Sequence, residues 1–127
     1  MTCSISHVTF DAHDAYAQAV WWSELLGGHL AADDFPGDPE AVVEGIPTPV
    51  LFINVPEGKT VKNRAHLDLR PSERTRDEEV EWVRSLGAAQ VDDQRKPDGT
   101  GWVVFADPEG NEFCVLRSHA EVEARGF

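Results

Sequence analysis

The chain repeats itself. HVTFDAHDAYAQAVWWSELLGG, from His7, has a counterpart in HLDLRPSERTRDEEVEWVRSLGA, from His66. Trp22 and Leu26-Gly27 recur sixty residues on as Trp82 and Leu86-Gly87, while His7 and His66 stand fifty-nine apart, so one residue is gained before the second helix. Such a repeat restricts the available folds, because each copy must be a supersecondary unit with an apolar face to bury. Ala15, Ala19, Trp22 and Leu26 fall at helical spacing and predict an apolar stripe on the first helix. Their counterparts Thr75, Glu79, Trp82 and Leu86 make a weaker stripe, widened by Val80 and Val83. Gly27 and Gly87 stand where a left-handed helix stop is expected, and Asp11 or Asp14 and Ser72 are candidate N-caps. The tryptophans read as core anchors.

Short strand-like runs follow each helix: HLAAD, AVVEGI and VLFINV in the first copy, AAQVDD, GWVVFAD and EFCVL in the second. Turn sequences separate them, among them KPDGTG and DPEGN. Asp107 is expected to bond within the DPEGN turn, where Gly110 takes a positive φ. Each copy is thus a βαβββ module, the first over about residues 4–57 and the second over about 62–118 of a single 127-residue domain. The fold class is α+β: two tandem βαβββ modules forming a curved mixed sheet, a cup with helices outside. Residues 55–64 read as the linker, and SHAEVEARGF as a loose helical turn or tail.

Strand alternation assigns faces. In RAHLDLR, Ala65, Leu67 and Leu69 are apolar, whereas Arg64, His66, Asp68 and Arg70 are polar. The first set belongs against the helix and the second on the open face. In ISHVTF the same rule puts Val8 and Phe10 against the helix and His7 on the other side. Two histidines at matching places suit a cavity, a metal or an acid/base pair. His13, His29 and His119 read as surface residues.

Composition excludes several functions. A net charge of -12, from 23 acidic against 11 basic residues, repels phosphate backbones and anionic lipid, so neither nucleic acid nor membrane is expected as a partner. No apolar run approaches the ~20 residues of a membrane helix, and no basic-then-apolar leader opens the chain, so a cytoplasmic location is expected. Cys3 and Cys114 cannot build a disulfide framework and are expected as two thiols. No phosphate loop, serine-hydrolase elbow or CxxC motif occurs.

With ISHV, WWSELLGG, VPEGKTVKNRAHLDL and ADPEGNEFCVL in place, nearly the whole chain resembles the vicinal oxygen chelate superfamily of glyoxalase I, bleomycin-resistance proteins and extradiol dioxygenases. Within it, the chain resembles the glyoxalase-like domain branch. The resemblance implies a homodimer and metal ligands from the first and last strand of each module. Those places hold His7, His66, Cys114 and, taking Phe52 opposite Phe113, Ile53. Isoleucine cannot coordinate, and a His2Cys remainder suits zinc or copper rather than a hard octahedral ion. Glu112 shares parity with Cys114 and completes a two-histidine, one-carboxylate set only if a bulge shifts the register.

The expected function is therefore small-molecule binding between the modules over a degraded metal site. His7, Ile53, Arg64, His66, Asp68, Trp102 and Cys114 form the lining, with Trp21 a further candidate, and no cofactor is expected. The alternative is a divalent-metal-dependent lyase, isomerase or dioxygenase with His7, His66 and Glu112 or Cys114 as ligands. In a third reading, His66 and Asp68 move protons without a metal, and the catalytic candidates are His66, Asp68 and Glu112. Lys62 is expected to pair with a local carboxylate instead of meeting the ligand.

Overall fold

The computed structural model describes residues 2–125, which fall into two compact units, one running to Gly58 and one from Lys59. The first contains β1 (Val8–Ala12), α1 (Ala15–Leu26), β2 (His29–Leu30), β3 (Glu40–Glu44) and β4 (Val50–Asn54). The second contains β5 (Leu67–Leu69), α2 (Arg76–Ser85), β6 (Ala89–Asp93), β7 (Val103–Ala106) and β8 (Glu112–Val115), then α3 (His119–Arg125). Each unit is therefore βαβββ with its own four-stranded mixed sheet, ordered β1-β4-β3-β2 and β5-β8-β7-β6. The first and last strands of each unit pair in parallel, and the other neighbours are antiparallel. Among the described residues, no helix is long and apolar enough to cross a membrane.

In the first unit Asp14 caps α1 by accepting from the Ala17 N–H, and Asn54 Oδ1 takes the Ala15 N–H at 2.7 Å. Gly27, at φ 69°, ends the helix in the left-handed region. Ala15, Ala19, Trp22 and Leu25 are the buried apolar residues of α1, whereas Leu26 is only half-buried. Phe10 stacks on Trp22 and on Phe52 at centroid distances of 6.1 and 5.8 Å, which joins the helix to the parallel pair β1 and β4. Burying an aromatic ring removes about 150–250 Å² from water, so this cluster is the main anchor of the unit.

In the second unit Val80 and Val83 pack with Val103, Phe105, Phe113 and Val115, all fully buried. Thr75, not Ser72, caps α2. Thr75 Oγ1 accepts the Glu78 N–H and Glu78 returns the bond to the Thr75 N–H, a reciprocal box that Ser72 cannot close because Thr75 stands three residues beyond it. Trp82 is only half-buried and lies under the Arg74 guanidinium, 4.7 Å from its ring centroid, so only Trp22 of this pair anchors a core. The segment read as a loose helical turn or tail forms the short helix α3, and the last two residues of the chain lie outside the described region. Ser118 and Glu121 cap α3 reciprocally, and Glu121 Oε2 also accepts the Arg76 N–H at 2.7 Å, which ties α3 to the start of α2.

The two ladders also fix the repeat register. Val8 lies opposite Val50, and Leu67 opposite Phe113. Matching His7 with His66 therefore puts Leu51, and not Ile53, at the place of Cys114. Both share one sheet face, so that place is apolar and non-coordinating either way.

Candidate functional site: a thiol-floored pocket in the second unit

Alternation along β8 sends Phe113 and Val115 into the core and leaves Glu112, Cys114 and Leu116 on the opposite face. Cys114 stands between Asp68 of β5 and Val104 of β7 in the ladders. His66 precedes Asp68 by two residues and Trp102 precedes Val104 by two, so both join the same face. Together with Lys62, these side chains surround a cavity of about 270 Å³. Its walls are apolar at Trp102, Val104 and Leu116, and its polar groups gather at the β5–β8 pair.

The electrostatics centre on Cys114, which is only 4% exposed. Burial first, then the Asp68 charge, the hydrogen bond to Asp68 and the Glu112 charge, together raise its thiol to about 11 against the opposing pull of Lys62. The thiol is thus neutral at ordinary pH and donates to the Asp68 carboxylate. His66 Nε2 lies 3.4 Å from Asp68 Oδ1, and both side chains are about half exposed. Glu112 is held in an ion pair by Lys62, and its backbone N–H donates to Asn63 Oδ1 at 3.1 Å.

Two turns hold the frame. Buried Asp107 accepts the Glu109 and Asn111 N–H groups, and Gly110 sits at φ 90°, so DPEGN delivers β8 in register. The turn before Trp102 is gripped by Arg76, which is buried and donates through Nη1 to the carbonyls of Gly99, Thr100 and Gly101 at 3.1, 2.9 and 3.1 Å.

The second unit brings together His66, Asp68, Trp102, Glu112 and Cys114. Arg64 is exposed in the loop before β5 and does not line the pocket, whereas Lys62 does. Val104 and Leu116 were readable from strand parity. Lys62 was not, because loops have no parity. His7 lies in the first unit, exposed, with Nδ1 2.9 Å from Ser6 Oγ, and Ile53 lies on β4 opposite Asp11 and Glu40. Trp21 is half-buried on α1, edge-on to Trp22. Cys3 and Cys114 are both free thiols.

The donor atoms of His66, Asp68 and Cys114 all lie within 4.8 Å of one another. They do not suit a hard octahedral ion, which wants carboxylate, carbonyl and water oxygens. One donor here is a neutral thiol, and the nearest further carboxylate, Glu112, is committed to Lys62.

Residues 7–116 match the family model described as "Glyoxalase-like domain". No curated protein matches the sequence. Among solved structures, a mutant of the fosfomycin resistance protein FosX from Listeria monocytogenes, complexed with Mn(II) and 1S,2S-dihydroxypropylphosphonic acid, is similar with a TM-score of 0.73 at 15% identity, covering 98% of this chain and 99% of that one. The oxidase ChaP-H2 gives 0.65 at 23% identity, covering 92% and 94%. A hypothetical protein from S. aureus gives 0.65 at 21%, covering 92% and 98%. At these identities the likeness is one of fold.

Proposed function

This chain belongs to the glyoxalase-like domain family of the vicinal oxygen chelate superfamily, and on that premise we propose that it binds a small organic molecule in the pocket of its second unit. The observation that carries this is the pocket itself: a neutral buried thiol at the floor, an indole, a valine and a leucine on the walls, and one carboxylate–imidazole pair at the edge. Trp102, 41% exposed, offers a ring face to a flat apolar body. Asp68 and His66 suit a single polar group on that body, with Asp68 favouring a donor. A phosphonate of the kind bound by FosX is disfavoured, because Asp68 repels it and the one nearby lysine is already paired with Glu112. Homodimer assembly and a cytoplasmic location belong to the same proposal, and light scattering and cell fractionation test them.

The test is a thermal-shift screen of neutral aromatic amides, alcohols and phenols in the presence of chelator. A ligand at ten times its Kd adds about 1.4 kcal/mol, several degrees in a domain of this size. Compounds that raise the melt in chelator, and lose the effect in Trp102→Ala, support the reading. Compounds that act only with an added divalent ion, Zn(II) or Mn(II), transfer the case to a metal-dependent lyase, isomerase or dioxygenase. The clustering of His66, Asp68 and Cys114 is the observation that favours that second reading. The 3.4 Å separation of His66 Nε2 and Asp68 Oδ1 supports a third reading, in which that pair moves a proton on a bound molecule.

A further inference from the structure

We propose that the ligand of this pocket is an organic monocation, a flat apolar body bearing one ammonium, and that Lys62 is the residue that limits the accepted charge to one. The proposal rests on the binding reading above and names the charge of its ligand. The cavity is lined by the carboxylates of Asp68 and Glu112 and by the ammonium of Lys62. With histidine counted as neutral at pH 7, this lining keeps one negative charge in surplus. Lys62 and Glu112 already form an ion pair, so the surplus belongs to Asp68. A carboxylate offers about four acceptor positions. The Cys114 thiol and the His66 ring take up part of that capacity, and the half-exposed Asp68 side chain keeps the rest open to the cavity.

The walls set the shape of the ligand. Asp68 lies on β5 and Trp102 immediately precedes β7, and β8 runs between those two strands. Neighbouring strands stand about 4.8 Å apart, which separates the carboxylate edge from the indole wall by roughly 10 Å. A single aromatic ring with a short aminoalkyl arm covers that span, with its ring on Trp102, its ammonium on Asp68 and Cys114 beneath. The net charge of -12 enriches cations over anions around the whole chain. Lys62 then sets the upper limit. Its side chain is 74% exposed in the irregular segment before β5, whereas that of Glu112 is 11% exposed. A solvated, tethered cation thus neutralises a nearly buried carboxylate and repels a second positive charge. Without Lys62 the pocket would hold two unpaired carboxylates and favour a dication.

The full chain is titrated in chelator at low salt, by heteronuclear NMR, with 2-phenylethylamine, its neutral isostere 2-phenylethanol, and the para-aminomethyl derivative of the amine, a dication. The amine should bind at least ~5-fold more tightly than the alcohol, because hydrogen bonds between charged groups are roughly twice as strong as neutral ones. Added salt should reduce that ratio. Asp68→Asn should bring it close to one. Lys62→Met should make the dication the tighter of the two cations, whereas Lys59→Met, which removes the same charge from an exposed position outside the pocket, should leave the monocation tighter. Amide dispersion in the same spectra confirms that each variant is folded. An amine bound no more tightly than the alcohol, a ratio unmoved by Asp68→Asn, or an order of cations unmoved by Lys62→Met would each overturn the proposal. Failure of 2-phenylethylamine to bind overturns it as well. The screen of neutral compounds still decides the binding reading in every case, so the two fail separately.

Discussion

Gly101→Ala should cost this protein much of its stability, because the backbone around that glycine has no room to yield. Gly101 sits at φ 95°, and a methyl group there would lie 2.0 Å from the Gln94 carbonyl oxygen, 2.8 Å from its carbon and 2.9 Å from Arg95 Cα. All three are main-chain atoms. They are tied across the turn by the Gln94 N–H donating to the Trp102 carbonyl at 2.8 Å, and the Lys96 N–H donating to Thr100 at 3.0 Å. The positive φ costs about 1–2 kcal/mol for alanine. Relieving the clash breaks the Gln94–Trp102 bond, about 1 kcal/mol, and displaces an acceptor of the Arg76 guanidinium, about 1.5–3 kcal/mol. The sum, roughly 3–6 kcal/mol, is a large share of the ~5–15 kcal/mol that holds a domain together. Urea unfolding followed by tryptophan fluorescence measures it directly, with the melting temperature expected to fall by about 10 °C or more. The wall residue Trp102 follows immediately in the chain, so any ligand found for the pocket should weaken as well. A loss below about 1 kcal/mol would refute the reasoning, since it would mean that the 94–102 turn opens at little cost.

Arg76→Met keeps the stem and removes the guanidinium, leaving the carbonyls of Gly99, Thr100 and Gly101 without their buried donor. A loss of about 3–5 kcal/mol is expected by urea unfolding, and much less than additive loss when it is combined with Gly101→Ala. Cys114 predicts an alkaline effect. Its thiol, raised from 9.0 to about 11, holds its proton more tightly in the folded chain than in the unfolded one. The stabilisation is therefore complete below about pH 9 and lost as pH rises through 11. The full shift is worth about 2.7 kcal/mol, reduced to about 1–2 kcal/mol because the contributing Asp68 is half exposed and screened. In chelator, the stability gap between the wild-type chain and Cys114→Ala should narrow by that amount between neutral pH and pH ~10.5, and a pH-independent gap would contradict a buried neutral thiol.

Much of the fold was legible because periodicity reports burial directly. RAHLDLR alternates so cleanly that Leu67 and Leu69 pair with core residues of β8 while His66 and Asp68 reach the pocket. The Ala15, Ala19 and Trp22 stripe and the DPEGN turn carry equally local signals. The α2 cap was present in the sequence as Thr75 with Glu78 three residues on, but the serine nearer the preceding strand is an equally good cap in isolation. The reciprocal bond decides between them. α3 was less visible because its start depends on tertiary acceptors: Glu121 serves both Ser118 and the first N–H of α2. The apolar mate of Cys114 is Leu51, two residues before Ile53, because loop lengths differ between the repeats. Counting from the shared phenylalanine slides along the strand, whereas ladder hydrogen bonds do not.

The side chain at 114 decides more about this pocket than either histidine does. A carboxylate there would be a fixed negative charge beside Asp68 and Glu112, and three such groups around one cavity demand a cation to be stable. A thiol places no such demand. It stays neutral, satisfies Asp68 as a donor and lets the pocket exist as an apolar binding site with nothing bound in it. Yet the same sulfur can give up its proton to a soft ion, which oxygen donors would bind less selectively. With cysteine at 114, the proposed binding pocket needs no metal, and any donor set that includes the sulfur is softer than one of oxygens alone. Lys62 reinforces both consequences by holding Glu112 in an ion pair, since a free Glu112 would restore the hard, oxygen-rich set.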